Sequence, residues 1–226
     1  MMGKGLNPYQ RYYWSASSAY DLAETACVSI GFVLDGPLHI APFRHAVDAV
    51  VNRHEHLRSH FHETPEGARR FPGATVRDVL SVDCEPFELS RLENCVEDLC
   101  RRPLDLRLDI PFRAYLKKAG QDRHLFVLII HHIVVDSWSL QVILDDLAAA
   151  YNGAISDAPQ PLLEPLSFDH ETLAIPLAHD EYHRQAQFWR EYLKDAKIPL
   201  IPNLLTGESA QGKSTFDVMT PGAEVH

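Results

Sequence analysis

The sequence contains little cysteine, no long apolar run and no concentration of positive charge. Its four cysteines, at positions 27, 84, 95 and 100, form no CxxC pair, which argues against a zinc knuckle or a disulfide framework. The longest apolar run, residues 125–130, is far too short to cross a bilayer. No apolar stretch follows Lys4, so no secretory signal is expected. These absences predict a chain of the reducing cytoplasm that has no membrane partner.

Acidic residues outnumber basic ones, with 31 Asp and Glu against 21 Lys and Arg and a formal net charge of −10. A nucleic-acid binder needs clustered cations to replace the counterions of the phosphates, so a nucleic-acid partner is not expected. The chain has 226 residues, of which 46% are hydrophobic, and this is enough for a sizeable core.

The spacing of apolar residues predicts strands that alternate with helices, and therefore an α/β layered sheet. The run at residues 124–130 is apolar at successive positions, which is typical of a central strand buried on both faces. A buried strand is predicted at 24–35, and the extended segments 58–62 and 68–71 are predicted to form a hairpin. Further extended segments are predicted at 79–87, 112–118 and 124–130, and helices at 40–57, 89–100, 138–151 and 181–197. Residues 199–226 lack a period and are rich in Pro, Gly, Ser and Thr, which indicates a linker or tail.

The segment HHIVVDSWS, residues 131–139, carries the chemistry candidate, because it joins the predicted central strand to a helix. Neighbouring side chains on a strand point to opposite faces, so one histidine can face a cleft while the other faces the core. An imidazole titrates near neutrality and can exchange a proton in an acyl transfer. Asp136 is either a plain helix cap or the partner of an arginine that fixes the loop.

Two other patterns have simpler interpretations. His56 and His60 have the helical i, i+4 spacing of a metal pair, but residues 57–61 are predicted to leave a helix and enter a strand, and HExxH is absent. No metal site is therefore expected. Trp14, Trp138 and Trp189 lie among periodic apolar residues, which favours core packing over ligand stacking. Trp138 could also brace the loop behind His132.

Two motifs in this order resemble those of the condensation domains of nonribosomal peptide synthetases. HHIVVDSWS looks like their HHxxxDG motif, and NRHEHLRSHF, residues 52–61, is similar to their RHExLRTxF motif. The opening motif is matched imperfectly, because Gln10 and Trp14 fit but Arg11 lies one place early. The resemblance implies the chloramphenicol-acetyltransferase-like fold, a layered α+β sandwich whose central mixed sheet is flanked by helices.

The resemblance also implies site residues. It assigns the catalytic role to His132, which would position or deprotonate the acceptor amine and help to stabilise the tetrahedral intermediate. His131 and Trp138 would support the loop, and Asp136 would pair with an arginine, for which Arg58 is the candidate. Ser137 stands where the family has glycine. If that position requires a positive φ or a close approach of substrate, a strained or partly blocked loop is expected.

In the family, two such lobes enclose a tunnel that phosphopantetheine arms of carrier proteins enter from opposite faces. The resemblance therefore implies an amino-terminal lobe at residues 1–198, followed at 199–226 by the crossover toward a missing carboxy-terminal lobe. It implies that no cofactor is bound directly, and that donor and acceptor carrier proteins, the missing lobe and neighbouring synthetase domains are the partners. Two alternatives stay open: a non-catalytic scaffold that binds a carrier protein, and a coenzyme A-dependent acyltransferase of the HxxxD superfamily.

Overall fold

The structure is a computed structural model that describes residues 3–19, 26–85, 88–102, 104–156, 166 and 179–195. The chain divides into two compact units: the described residues up to 166 belong to the first unit, and residues 179–195 belong to the second. The described part of the first unit holds all the strands given below and the first four helices. The described part of the second unit, 179–195, holds the fifth helix.

The elements alternate much as the apolar spacing predicts. The strands are β1 (Lys4–Gly5), β2 (Cys27–Asp35), β3 (Ser59–Thr64), β4 (Gly67–Pro72), β5 (Leu80–Asp83), β6 (Phe112–Lys118) and β7 (Arg123–His131). The α-helices are α1 (Pro8–Ala19), α2 (Ile40–Arg53), α3 (Leu92–Cys100), α4 (Ser137–Ile155) and α5 (His179–Tyr192), and short 3₁₀ turns occupy Glu55–Arg58 and Leu89–Arg91.

The main sheet has the strand order β2-β7-β6-β5. Strand β7 pairs antiparallel with β2 and with β6, whereas β5 pairs parallel with β6, so the sheet is mixed. Strand β7 is an inner strand, and the side chains of residues 124–131 are all buried. The prediction of a central strand buried on both faces is confirmed. Strand β2, predicted to be buried, is instead a half-buried strand at the edge of this sheet.

Side chains that alternate along β7 enter two separate cores. Phe126, Leu128 and Ile130 pack with the apolar faces of α2 and α4. Leu125, Val127 and Ile129 pack with residues of α3. Helices therefore cover the sheet on both faces, and each face depends on the period of two along β7. This arrangement is the predicted layered α/β architecture.

Helix α2 follows the predicted spacing and then stops early. Its buried side chains include Phe43, Val47 and Val50, which recur at helical intervals. The helix ends at Arg53 and a 3₁₀ turn carries the chain into β3, so the predicted extension to residue 57 is wrong. Leu57, which lies in the 3₁₀ turn, is buried in the same core and is 1% exposed.

A second, smaller sheet has the order β1-β4-β3, and β3 and β4 form the predicted hairpin. Helix α1, which the apolar spacing did not reveal, contributes Trp14 to a small core with Phe61 and Ile133. Its start is a reciprocal cap: Gln10 N donates to Asn7 Oδ1 at 2.8 Å, and Asn7 N donates to Gln10 Oε1 at 3.2 Å. Proline at position 8 suits the first turn of a helix.

In the second unit, α5 covers most of the predicted helix at 181–197. Core packing of Trp189 is not found, because its side chain is 54% exposed. The aromatic rings of α5 instead pack on one another, and Phe188 stacks on Tyr192 at 5.8 Å. Residues 199–226, predicted to be a linker or tail, lie outside the described residues. Among the helices described, none is both long enough and apolar enough to span a bilayer.

Candidate active site

His131 is the last residue of β7 and is 1% exposed. Its Nδ1 accepts a hydrogen bond from the backbone N–H of Ile133 at 3.0 Å, so the ring supports the turn that follows the strand. Burial, reinforced by the neighbouring charge of His132, lowers the pKa of His131 from 6.5 to about 4. The imidazole of His131 is therefore neutral at pH 7.

His132 begins the turn between β7 and α4, and its side chain is partly exposed. Its backbone N–H donates to the carbonyl of Ala26 at 2.7 Å, which extends the pairing of β7 with the segment that leads into β2. Side-chain Nδ1 lies 3.2 Å from the carbonyl oxygen of Val135. A carbonyl oxygen only accepts hydrogen bonds, so this contact requires the proton to be on Nδ1.

In the neutral ring, that assignment places the lone pair on Nε2. Within the described residues, both polar contacts of the ring use Nδ1. The His132 side chain as a whole is partly exposed. The ring can therefore accept a proton from a molecule that approaches it.

Two tyrosines that sequence reasoning missed complete the surroundings of His132. The ring of Tyr13 stacks on the imidazole with centroids 5.1 Å apart and planes 11° apart. The hydroxyl of Tyr9 lies 3.4 Å from Nδ1 and donates to the carbonyl of Val135 at 3.2 Å. The signal that could have revealed them was local: the sequence Asn-Pro-Tyr-Gln at residues 7–10 carries a capping pair and an N-terminal proline.

Asp136 caps α4. Its Oδ1 accepts from the backbone N–H of Ser139 at 2.7 Å and from the Ser139 hydroxyl at 2.6 Å. These hydrogen bonds, the one from the hydroxyl first, lower the pKa of the Asp136 carboxyl. Of the two sequence interpretations, the plain cap is correct.

The expected pairing of Asp136 with Arg58 is wrong. The Arg58 guanidinium instead donates from Nη1 to the carbonyl of Gly73, while Gly73 N–H donates to the Arg58 carbonyl at 2.9 Å. A Cβ at position 73 would lie 2.0 Å from that carbonyl oxygen, so this close approach requires glycine. Arg58 therefore joins the 3₁₀ turn to the end of β4.

The rest of the second motif connects α2 to its neighbours. Arg53 and His54 both contact Oδ2 of Asp146 in α4, at 2.9 and 2.7 Å. Glu55 binds the guanidinium of Arg70 at 2.7 Å, and the Arg70 side chain is only 3% exposed. The segment thus acts structurally, because it fixes α2 against α4 and against the small sheet.

Ser137 and Trp138 open helix α4. Ser137 is its first residue, and among the described residues Asp78 is the one non-glycine with a positive φ. The backbone at Ser137 therefore does not need glycine, and the expected strain is absent. Trp138 is 81% exposed, so its predicted packing in the core, or as a brace behind His132, is wrong.

A cleft of about 410 Å³ adjoins the same loop. It combines apolar side chains with an acidic, a basic and two imidazole groups, and His132 is not among its described walls. The lining consists of Lys4, His54, Glu55, His56, Leu57, Val134, Trp138, Ser139, Val142, Ile143 and Leu166.

Within the described residues, no group of three or more His, Cys, Asp and Glu side chains could hold a metal ion. His56 lies in the 3₁₀ turn and His60 in β3. The backbone thus changes from a helical turn to a strand between them, as predicted, and the two imidazoles do not share a helical face.

The chain resembles known proteins over most of its length. The family model described as "Condensation domain" matches residues 5–221. Tyrocidine synthase 3 of Brevibacillus parabrevis is 35% identical over 182 residues, which are 77% of this chain and 3% of the synthase. Chondramide synthase of Chondromyces crocatus is 30% identical over 181 residues, which are 75% of this chain and 4% of that protein.

Solved structures agree in fold. The first condensation domain of the calcium-dependent antibiotic synthetase, in complex with substrate analogue 2a, superposes with a TM-score of 0.75 at 22% identity, and covers 88% of this chain and 49% of its own. The starter condensation domain of the rhizomide synthetase gives a TM-score of 0.71 at 17% identity, over 88% of this chain and 50% of its own.

These likenesses establish the condensation-domain fold, which is the chloramphenicol-acetyltransferase-like α/β fold that the motifs implied. The chain spans about half the length of the solved domains and a few per cent of the synthetases that it matches. With its family match over residues 5–221, the chain belongs to the condensation-domain family of the nonribosomal peptide synthetases, of which it represents part of one domain.

Proposed function

We propose that this chain supplies the histidine-bearing half of a condensation domain that joins a carrier-bound donor thioester to a carrier-bound acceptor amine. The observation that carries the proposal is the geometry of His132: in a partly exposed side chain at the end of a buried strand, both described polar contacts use Nδ1, one of them to the Val135 carbonyl, and Nε2 is left for a substrate. An imidazole held in this way is ready to act as a base.

In the proposed reaction, the acceptor nitrogen attacks the carbonyl carbon of the donor thioester. The new C–N bond forms and the C–S bond breaks. His132 Nε2 takes a proton from the attacking amine and returns it to the departing thiolate, so the imidazole is regenerated. The Nε2–H group that forms in this step faces the tetrahedral intermediate and stabilises its developing negative charge.

The neutral state of His131 supports this role. His132 becomes a cation when it holds the proton, and a second cation beside it would oppose that step. Burial keeps the pKa of His131 near 4, so at pH 7 this ring adds no positive charge. His131 instead supports the turn through Ile133.

The partners follow from the family and from the length of the chain. We infer that phosphopantetheine arms of donor and acceptor carrier proteins bring the substrates, and that a second half of the domain forms the other wall of the reaction space. The chain matches only about half of each solved condensation domain cited above, so we expect turnover from the completed domain and not from this half alone. In the described part, Cys84 and Cys95 form no disulfide, which suits the reducing cytoplasm that the sequence predicts.

The test is amide formation by the completed domain, with both substrates loaded on holo carrier proteins and product detected by mass spectrometry. The His132→Ala variant should form product at a rate lower by roughly 10²–10⁴-fold, which is the usual contribution of general acid–base catalysis. His45→Ala is the matched control, since His45 is exposed on α2 and should leave product formation unchanged. Equal product from the His132→Ala domain would refute the proposal.

The substrate class is tested separately. The completed domain should use carrier-bound donors and give no product from soluble coenzyme A thioesters. Product from coenzyme A thioesters alone would instead favour an acyltransferase of the HxxxD superfamily. Binding of a holo carrier protein without turnover, in a completed domain whose substrates are loaded, would favour a scaffold.

A further inference from the structure

We propose that Tyr9 and Tyr13 of α1 are positioning residues that hold the His132 imidazole with its proton on Nδ1 and its lone pair on Nε2. The purpose of this positioning rests on the proposed function, but the contacts between the tyrosines and His132 do not depend on it. Both tyrosines lie outside the motifs at residues 52–61 and 131–139; Tyr9 precedes, and Tyr13 lies within, the opening segment from Gln10 to Trp14 that matches the family imperfectly.

Tyr13 fixes the plane of the ring. Its aromatic face lies nearly parallel to the imidazole, with centroids 5.1 Å and planes 11° apart. A rotation of the imidazole about its Cβ–Cγ bond would break this stack, which disfavours orientations in which Nε2 turns inward. The tyrosine itself is held by Tyr9, whose ring meets it edge-to-face at 4.9 Å.

Tyr9 selects the tautomer. Its hydroxyl donates to the Val135 carbonyl at 3.2 Å, and its oxygen lies 3.4 Å from His132 Nδ1, which itself lies 3.2 Å from the same carbonyl. The Tyr9 hydroxyl oxygen, His132 Nδ1 and the Val135 carbonyl oxygen thus all lie within 3.4 Å of one another. With the proton on Nδ1, that N–H faces two acceptor oxygens; with the proton on Nε2, the Nδ1 lone pair would face the lone pairs of the Val135 carbonyl.

The Tyr9 hydroxyl remains a donor throughout the neutral range. Burial first, and then the hydrogen bond and charge of Tyr13, raise the pKa of Tyr9 to about 12. The other groups near this corner do not replace it: the neutral His131 directs its Nδ1 to Ile133, and the Asp136 carboxylate accepts from Ser139. Of the described side chains, Tyr9 is the one hydroxyl within hydrogen-bonding distance of His132 Nδ1.

Helix α1 is anchored well enough to act as a support. Asn7 and Gln10 cap its start reciprocally, and Gln10 is 4% exposed. Near the middle of the helix, Trp14 is buried and its Nε1 donates to Glu63 of β3 at 2.9 Å. Tyr9 and Tyr13 lie four residues apart, so both point to the same side of the helix, toward His132.

The experiment measures the tautomer of His132 by ¹⁵N chemical shifts of the imidazole nitrogens in the 226-residue chain, at a pH where the ring is neutral. The unmodified chain should show the proton mainly on Nδ1, whereas a free imidazole side chain prefers Nε2. Loss of one hydrogen bond in Tyr9→Phe should move the ratio toward Nε2 by roughly fivefold, and loss of the stack in Tyr13→Leu should move it in the same direction.

One variant separates the stack from the Tyr13 hydroxyl, and a second controls for general damage. Tyr13→Phe keeps the stacked ring but loses the hydrogen bond of its hydroxyl to Tyr9, so its ratio should lie closer to that of the unmodified chain than the ratio of Tyr13→Leu does. Tyr12→Phe removes a hydroxyl from the adjacent ring, which is 67% exposed, and should leave the ratio unchanged. A tautomer ratio that is the same in Tyr9→Phe, Tyr13→Leu and the unmodified chain would overturn the inference.

This readout is independent of turnover. If His132→Ala left amide formation intact while the tautomer ratios shifted as expected, the proposed function would fail and the positioning inference would stand. In the completed domain, Tyr9→Phe should lower kcat by roughly fivefold with little change in KM, because the variant alters the base and not the substrate contacts. An equal change in KM alone would contradict a positioning role.

Discussion

Replacing Asp136 with alanine removes the cap of α4 without touching the packing of the core. The carboxylate accepts two hydrogen bonds from Ser139, one from the backbone and one from the hydroxyl. Asp136 itself is exposed, so the variant opens no cavity. What is lost is the cap and a negative charge at the positive end of the helix dipole.

The expected loss of stability follows from the loss of the cap and from the loss of the charge. Loss of an N-cap costs about 1 kcal/mol, within a range of roughly 0.5–2 kcal/mol, and the charge at an exposed helix start adds about 0.3–1 kcal/mol at low salt. We expect the free energy of unfolding to fall by about 1.5 kcal/mol. For a chain of this size, each kcal/mol lowers the Tm by roughly 2–4 °C.

The pH dependence gives a second signature. The hydrogen bonds from Ser139 hold the pKa of Asp136 below its usual value of 3.8 in the folded chain. A carboxyl with a depressed folded pKa stabilises the fold above its unfolded pKa and loses that effect as the pH falls through the folded pKa. The difference between the unmodified chain and Asp136→Ala should therefore be constant above about pH 5 and shrink below pH 4.

Denaturant titrations at several pH values measure both effects. Asp145→Ala is the control, because it removes an exposed carboxylate from the same helix and should change stability by no more than about 0.5 kcal/mol. A double-mutant cycle with Arg58→Ala should be additive within about 0.5 kcal/mol. Unchanged stability in Asp136→Ala, or strong coupling to Arg58, would refute the cap.

Two further predictions concern buried ionisable groups. The unfolded chain protonates His131 near pH 6.5, whereas the folded chain resists protonation until about pH 4, so stability should fall by about 3 kcal/mol over that window. His131→Asn keeps an acceptor for Ile133 and should flatten that slope in unfolding titrations; an unchanged slope would contradict the burial of His131. Glu55→Ala leaves the Arg70 guanidinium buried without its carboxylate and should cost about 3 kcal/mol. The exposed Glu66→Ala should cost less than about 0.5 kcal/mol by the same measurement, and equal costs would show that the Glu55 pair is not structural.

The elements of the main sheet could be predicted because each depends on a local period. The continuous apolar run before His131 indicated a strand with two buried faces, and Phe126 and Val127 do enter different cores. The position of β2 at the edge could not be predicted in this way. Strand order depends on which segments pair at long range, and an apolar strand at an edge has the same sequence pattern as an inner one.

The candidate site was predictable in its histidines but not in its supports. His131 and His132 are adjacent at the end of a strand, and this indicated that their side chains differ in exposure. The partners of Asp136 and Arg58 depend on distances that the sequence does not contain: Asp136 binds Ser139, three residues along, and Arg58 binds the carbonyl of Gly73. Tyr9 contacts His132 across 123 positions of sequence, so its role became visible only once α1 was placed.

The central claim, that His132 takes the proton of the acceptor amine, is tested most directly by the single-turnover rate of amide formation. The measurement uses the completed domain, with donor and acceptor loaded on saturating holo carrier proteins. We predict that His132→Ala lowers this rate constant by roughly 10²-fold or more, while carrier-protein affinity equals that of His45→Ala. A rate constant within about twofold of the unmodified domain, where a lost catalytic base should cost roughly 10²-fold, would contradict the claim.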